Sequence, residues 1–343
     1  MLWFVIASLS PLLLLFLCSL WATELPWLPV LALLNQTLVV FFLDQLGRRL
    51  KSKPAGAATE ALQVTLALGH LAILLPVLLR ATTLPLASAL VLLLTLALFM
   101  GQISHPNAHE LIHHPRRLMR KLGALVYGSM LLGHHVSAHL RVHHSHVATA
   151  KDPNTARRGE GFYRFLLRAW VGSFRAGLRA ENAARSRKKP APSRLWHPYV
   201  GYMLTAAATL AGSYLVAGGR GLSACLFVAL YAQVQVFLAD YVQHYGLWRQ
   251  VDASGRPEPV AAAHSWNAPH WYSSAMMLNA PRHSDHHLTP KRPFPELELS
   301  ADMPLLPHSL PVMAVIALVP ALWRRVMARE LQKIPPPRAR SLD

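Results

Sequence analysis

LPLASALVLLLTLALFMGQISHPNAHELIHH, residues 84–114, starts as a membrane span and ends as a helix of metal-ligand character. Its first twenty residues, 84–103, carry no charge. At about 1.5 Å rise per residue, a helix of that length covers the ~30 Å hydrocarbon core of a bilayer. The apolar run then gives way to His109, Glu110, His113 and His114. Residues four apart in a helix share a face, one turn from each other. His109 and His113 therefore offer two ring nitrogens side by side at the end of a span.

The rest of the chain repeats the first half of this reading. Further apolar segments run over about 2–22, 26–43, 61–79, 198–217 and 221–243, giving six spans. The first is read as a span and not a signal peptide, because no Lys or Arg precedes it and a second apolar run follows at once. Of 343 residues 53% are hydrophobic and 15% charged, a membrane composition. The formal net charge of +18 does not indicate nucleic acid, since the basic residues lie between spans and in the tail, where the positive-inside rule places them. An even number of spans returns the chain to its starting side, so the basic segments 44–60, 104–197, 244–308 and 324–343 all face the cytoplasm. The expected fold is an all-α integral membrane protein: one domain over 1–343, six transmembrane helices in three hairpins, and a histidine-rich cytoplasmic cap. Residues 1–103 supply four spans, 104–197 a cytoplasmic segment, 198–243 two spans, and 244–343 a second cytoplasmic segment with the tail. Shorter apolar stretches near 122–133 and 309–323 read as membrane-surface or re-entrant helices, and 185–194 (RSRKKPAPSR) as a basic loop facing anionic headgroups.

Of 19 histidines only His70 falls well inside a span. The others cluster: His109 and His113; His139, His143 and His144; His244; and His283, His286 and His287. Spacings of three and four put the members of each cluster on one helix face. Neutral imidazole binds iron, zinc, copper or nickel. Nine such rings are too many for one ion, so two metals are implied. HELIH is also a fragment of the HExxH zinc-protease pattern, but three further clusters are foreign to that reading. His105, His134, His135, His146, His264 and His308 fit no cluster and read as surface or packing residues, or as supports behind the ligands. Cys18 and Cys225 lie isolated in apolar runs, so the chain holds no thiolate cluster. No Gly-rich dinucleotide fingerprint is present either. Electrons for redox chemistry at the metals must come from another protein.

Taken together, HELIH, HLRVHH (139–144), HYG (244–246) and RHSDHH (282–287) resemble the membrane alkane 1-monooxygenases and their xylene monooxygenase relatives, within the membrane fatty-acid desaturase/hydroxylase superfamily. HHSHVATAKDP (143–153), NAPRHSDHH (279–287), and LPVM (310–313) through PALWRRVM (320–327) extend the resemblance over roughly 100–327. It implies two iron ions held by nine histidines. It further implies hydroxylation of a terminal methyl group of an apolar substrate such as an n-alkane, with O2 and two electrons. The donor it implies is rubredoxin, or a ferredoxin-type protein, with its NAD(P)H reductase. The implied location is the bacterial inner membrane, with the active site on its cytoplasmic side. Three residues between His139 and the His143–His144 pair, where desaturases usually have two, favour hydroxylation over desaturation of acyl chains. A histidine-rich metal transporter is the alternative of another class; it needs ionisable residues along the spans, where only His70 and the border residues Asp44 and Asp240 are available. The chain departs from the family pattern at Ala138 and Gln243, where Glu is usual, at Ala280–Pro281, and at His114. Asp285, Gln243, Asp44 and His270 are the residues expected to support the ligands from behind.

Overall fold

The computed structural model describes residues 1–47, 50–190 and 193–334. Part of the expected basic loop 185–194 and the end of the basic tail lie outside the described residues. The described residues are helical, with no β-strand beyond two isolated bridges. Four helices are long and apolar enough to cross a membrane: Leu2–Trp21, Ala57–Thr83, Leu86–His113 and Pro198–His244. In hydrocarbon every backbone N–H and C=O must be satisfied within the segment, and a helix does this.

One of the expected spans takes a different form. Residues 28–44 break at Thr37, whose φ of −120° and ψ of −83° are not helical, into Leu28–Gln36 and Leu38–Asp44. Pro198–His244 is a hairpin rather than a rod. Ala217 (φ −139°) and Gly218 (φ 60°) reverse the chain there, and the positive φ suits glycine. The reversal brings Cys225 within hydrogen-bond reach of Ser213. Twelve residues along a straight helix would separate them by about 18 Å. A Cβ at Gly221 would stand 2.4 Å from the Ser213 carbonyl, so only glycine lets the arms meet so closely. The expected division into 198–217 and 221–243 is thus present as two arms.

The apolar helices share a core of Leu15, Leu66, Val77, Leu92, Phe99 and Val236, and turn Leu13, Phe16, Leu31, Phe42, Leu90 and Leu230 outward. On one end of this bundle sit the short helices that carry histidine: His105–His113, His134–Ala138, His144–His146 and His283–Leu288. The amphipathic helix Phe162–Ser186 braces them. Its buried Glu181 accepts hydrogen bonds from Arg141 (2.6 Å) and Ser137 (2.9 Å). Its Arg168 grips Glu160 through two nitrogens (2.8 and 2.7 Å) and donates to the Pro153 and Thr155 carbonyls. Gly177 lies against the Ala138 backbone, where a side chain would not fit. Ala138 thus stands at a close crossing of two helices.

Candidate metal centre

Two of the histidine-bearing helices contain a turn wider than an α-helix. Over Met100–Ser104 and His139–His143 the backbone N–H bonds five residues back, from His105 to Met100 and from His144 to His139. Such π turns are rare and frequent at functional sites. The second one changes which residues share a face: positions five apart come together instead of four. His139 and His144 therefore meet, Nε2 to Nε2, at 2.8 Å. His143, expected to share their face, is turned aside.

The nine rings fall into two groups, in each of which one atom per residue lies within 4.8 Å of all the others. The first comprises His109, His113, His139, His144 and His286; the second His143, His244, His283 and His287. In the first, the Nε2 of His139 is 2.8 Å from that of His109 and 3.0 Å from that of His113, and His144 is 3.1 Å from His113. In the second, the Nε2 of His283 is 3.0 Å from that of His244 and 3.1 Å from that of His287. His283 and His287, four apart, stay together, while His286 crosses to the first group. His113 and His144 keep accessible surface; the second group is buried throughout.

The donor set fits cations. So many ring nitrogens facing one another cannot all hydrogen-bond, because each neutral imidazole carries a single N–H. The Nε2 of His143 is buried without any partner. Burial first, and then the charges that neighbouring imidazoles would carry, push His139, His144, His283, His286 and His287 well below the ordinary histidine range. These rings are neutral at pH 7, the form that binds metal. His143 is the exception. Burial lowers it, but the charge and hydrogen bond of Asp152, with the charge of Asp240, outweigh that and raise it.

Asp152 was not among the expected supporting residues. Its Oδ2 sits 2.8 Å from His143 Nδ1 and 2.8 Å from the Thr155 hydroxyl, and its Oδ1 accepts from the Asn154 N–H. Asn154 in turn donates to Asp240 at 2.6 Å. The four supports expected from sequence behave differently. Asp285 is buried, but both its oxygens face Arg292 at 2.7 Å and one accepts from the Glu298 N–H. Among the described residues it bonds to no imidazole. Gln243 donates to the Ala280 carbonyl and so ties the His244 helix to the turn that leads into His283. Asp44 caps a helix: its Oδ1 accepts from the N–H groups of Tyr272 and Ser273 at the start of Trp271–Met276. His270 precedes that helix, and its Nδ1 is buried without a partner. Neither Asp44 nor His270 bonds to any of the nine rings. Asp44→Ala should therefore destabilise the protein by about 1 kcal/mol, as lost caps do, and leave metal content at saturation unchanged. Chemical denaturation with elemental analysis checks this, and loss of metal would place Asp44 at the histidine groups instead.

A family model described as fatty acid desaturase matches residues 83–316, which include all nine histidines. The chain belongs to the fatty acid desaturase family. Within that family it is similar to alkane 1-monooxygenase 1 of Pseudomonas aeruginosa, 35% identical over 236 residues, 68% of this chain and 62% of that protein. Alkane 1-monooxygenase 2 of Alcanivorax borkumensis is 32% identical over 227 residues, 66% of this chain and 59% of that one. The xylene/toluene monooxygenase hydroxylase component of Pseudomonas putida is 30% identical over 243 residues, 69% of this chain and 63% of that one. The chain spans about three fifths of the length of these relatives.

Proposed function

We propose that this desaturase-family chain is a membrane monooxygenase that uses two irons and O2 to hydroxylate a terminal methyl group of an apolar substrate to a primary alcohol. The observation that carries the reading is the pair of histidine groups at one end of an apolar bundle, in a chain similar to alkane and xylene monooxygenases. His109, His113, His139, His144 and His286 hold one iron; His143, His244, His283 and His287 hold the other. Iron bound there supplies the activation of O2 and the attack on an unactivated C–H bond, with two electrons and two protons consumed and one oxygen atom leaving as water.

The chain's own residues set the conditions for that chemistry. Asp152 holds the proton on His143 Nδ1, which leaves Nε2 free to ligate. Phe99, Ile103 and Val236, all buried, lie in the bundle around the segment that leads into the first histidines and keep it apolar. The substrate enters from the bilayer, where hydrocarbons concentrate. Electrons come from rubredoxin or a ferredoxin-type donor with its NAD(P)H reductase. The half-open rings His113 and His144 mark the side such a donor approaches, with exposed Arg116, Arg117, Arg120 and Arg141 beside them. Acidic donors would be steered there. We read the two arms of 198–244 as two crossings and the broken 28–44 segment as another. With the remaining spans this makes six, and on this reading the metals lie on the cytoplasmic side of the bacterial inner membrane.

The test is direct. Detergent-purified protein is analysed for iron and supplied with octane, NADH, rubredoxin and its reductase. About two irons per chain and formation of 1-octanol uphold the reading. Two irons with an alkene as product would make the chain a desaturase, and an absence of iron would end the di-iron proposal.

A further inference from the structure

Among the histidines outside the nine, His70 and His135 are buried and His105 is half-buried, and these three differ in one respect. His70 lies inside the bundle with both ring nitrogens engaged, Nδ1 with Ser104 and Nε2 with Ser129, each at 2.8 Å. It is satisfied and requires nothing more. His105 has its Nδ1 2.9 Å from the Tyr127 hydroxyl. His135 is 2% exposed, and neither of its ring nitrogens has a partner.

His135 and His105 belong to one cluster. The His135 ring is 5.8 Å from that of His105 and 5.0 Å from that of Tyr127, which is itself fully buried. The same His135 ring stacks on the ligand His139 at 5.4 Å, and His105 lies 6.3 Å from the ligand His109. The trio thus abuts the first metal group. Tyr127, His109 and His135 pack around His105, which is half-buried. One turn before it, Gln102 has its Oε1 buried without a partner. The turn that delivers His135 is held in an uncommon conformation: Leu131 has φ 56°, and Gln233 fixes it by donating to the Met130 carbonyl at 3.0 Å. Non-glycine residues in that region persist where the surrounding structure enforces them, often at functional sites.

Packing alone does not account for this. A phenylalanine would stack on His139 equally well, whereas a buried imidazole with both nitrogens unmet is costly. The chemistry of the trio limits what satisfies it. When Tyr127 donates to His105 Nδ1, His105 presents Nε2–H. Neutral His135 adds one N–H and one bare nitrogen. Donors and an acceptor together suit a hydroxyl, which both gives and receives. A carbonyl uses only the donors. A carboxylate would be buried there without a cation, because the trio contains no Arg or Lys.

We infer that His105, Tyr127 and His135 form a polar subsite beside the first metal group, which holds an uncharged hydroxyl carried on the hydrocarbon that binds there. The inference rests on the proposed function and narrows its substrate class from plain hydrocarbons to hydroxylated ones, or else assigns the site to the alcohol product. These two sources share one chemistry.

The experiment compares cyclohexanol with methylcyclohexane, which has nearly the same shape and no hydroxyl. Both are titrated against iron-loaded, unreduced protein in lipid nanodiscs, with uptake by empty nanodiscs subtracted. The native protein should bind cyclohexanol about tenfold more tightly, a difference of about 1.4 kcal/mol. His135→Phe should bring the two ligands to parity with iron content unchanged. Tyr127→Phe, which removes only a hydroxyl, should reduce the preference several-fold and serves as the milder variant if His135→Phe does not fold. Equal binding of both probes by the native protein, or a preference that survives both variants, overturns the subsite while the irons still uphold the monooxygenase reading. Absence of iron defeats that reading separately, in the same samples. With reductant and O2 added, consumption of bound cyclohexanol assigns the hydroxyl to substrate, and inhibition without consumption assigns it to product. Either outcome upholds the subsite.

Discussion

His139→Ala should cost the protein its first iron and its activity. The Nε2 of His139 is within 3.0 Å of three others, those of His109, His113 and His144, a tighter set than the three around His144 at 2.8, 3.1 and 3.3 Å. Changing a residue behind a ligand already weakens metal binding by about 10–100-fold. Deleting a ligand at the centre of the set should exceed that, about 100-fold at least, and leave about one iron per chain after dialysis. Alcohol formation should fall below detection, since the proposed reaction uses both irons. His139 is buried, and its loss leaves a cavity. Circular dichroism therefore has to show that helix content is retained. His146→Ala is the matched control: His146 is in the same segment, partly exposed and in neither group. It should keep both irons and full activity. Two irons retained in His139→Ala would refute the ligand assignment, whatever happened to activity.

The nine histidines were legible in the sequence because imidazole is uncommon in apolar proteins and its spacing there was helical. Their division into two groups was not. An i,i+4 rule puts His139 with His143, and the π turn over His139–His143 instead puts it with His144. Sequence gives no warning of one extra residue in a turn, yet that residue decides which ring joins which group. The short last cluster shows the same limit: His283 and His287 obey the rule, and His286, between them, points the other way. Supports behind the ligands were harder still. Asp285 was attractive because it stands between ligands in the sequence, but neighbours in a helix point to different sides, and its side chain pairs with Arg292. Asp152 lies nine residues from His143 and reaches it through an irregular loop that Arg168 pins from a later helix. That contact is tertiary. The apolar helices tell a similar story: apolar runs located the four that are long enough to cross a membrane, while the break at Thr37 and the reversal at Gly218 depend on backbone angles that hydropathy does not encode.

Asp152→Asn should loosen the second iron selectively and shift how its binding depends on pH. The native carboxylate holds His143 through Nδ1 and is itself fixed by Thr155 and Asn154. Burial alone would raise the Asp152 pKa; His143 and the two local hydrogen bonds lower it, so the group is ionised at neutral pH. Its charge makes the His143 ring more basic, and hence a stronger ligand once the Nε2 is free. Asparagine keeps the shape but not the charge, and iron affinity at the second group should fall about 10–100-fold. The same charge has an opposite effect at low pH. In the metal-free protein the raised pKa means that a proton competes for His143 up to a higher pH than for an ordinary histidine. Native affinity should therefore still climb as pH rises above about 6.5, and the variant should reach its lower plateau at a more acidic pH. Iron titrations between pH 5.5 and 8.5, with the two sites resolved by Mössbauer spectroscopy, measure both effects at once. A variant with an unchanged pH profile and unchanged second-site affinity would mean that Asp152 serves the loop 149–160 and not the metal.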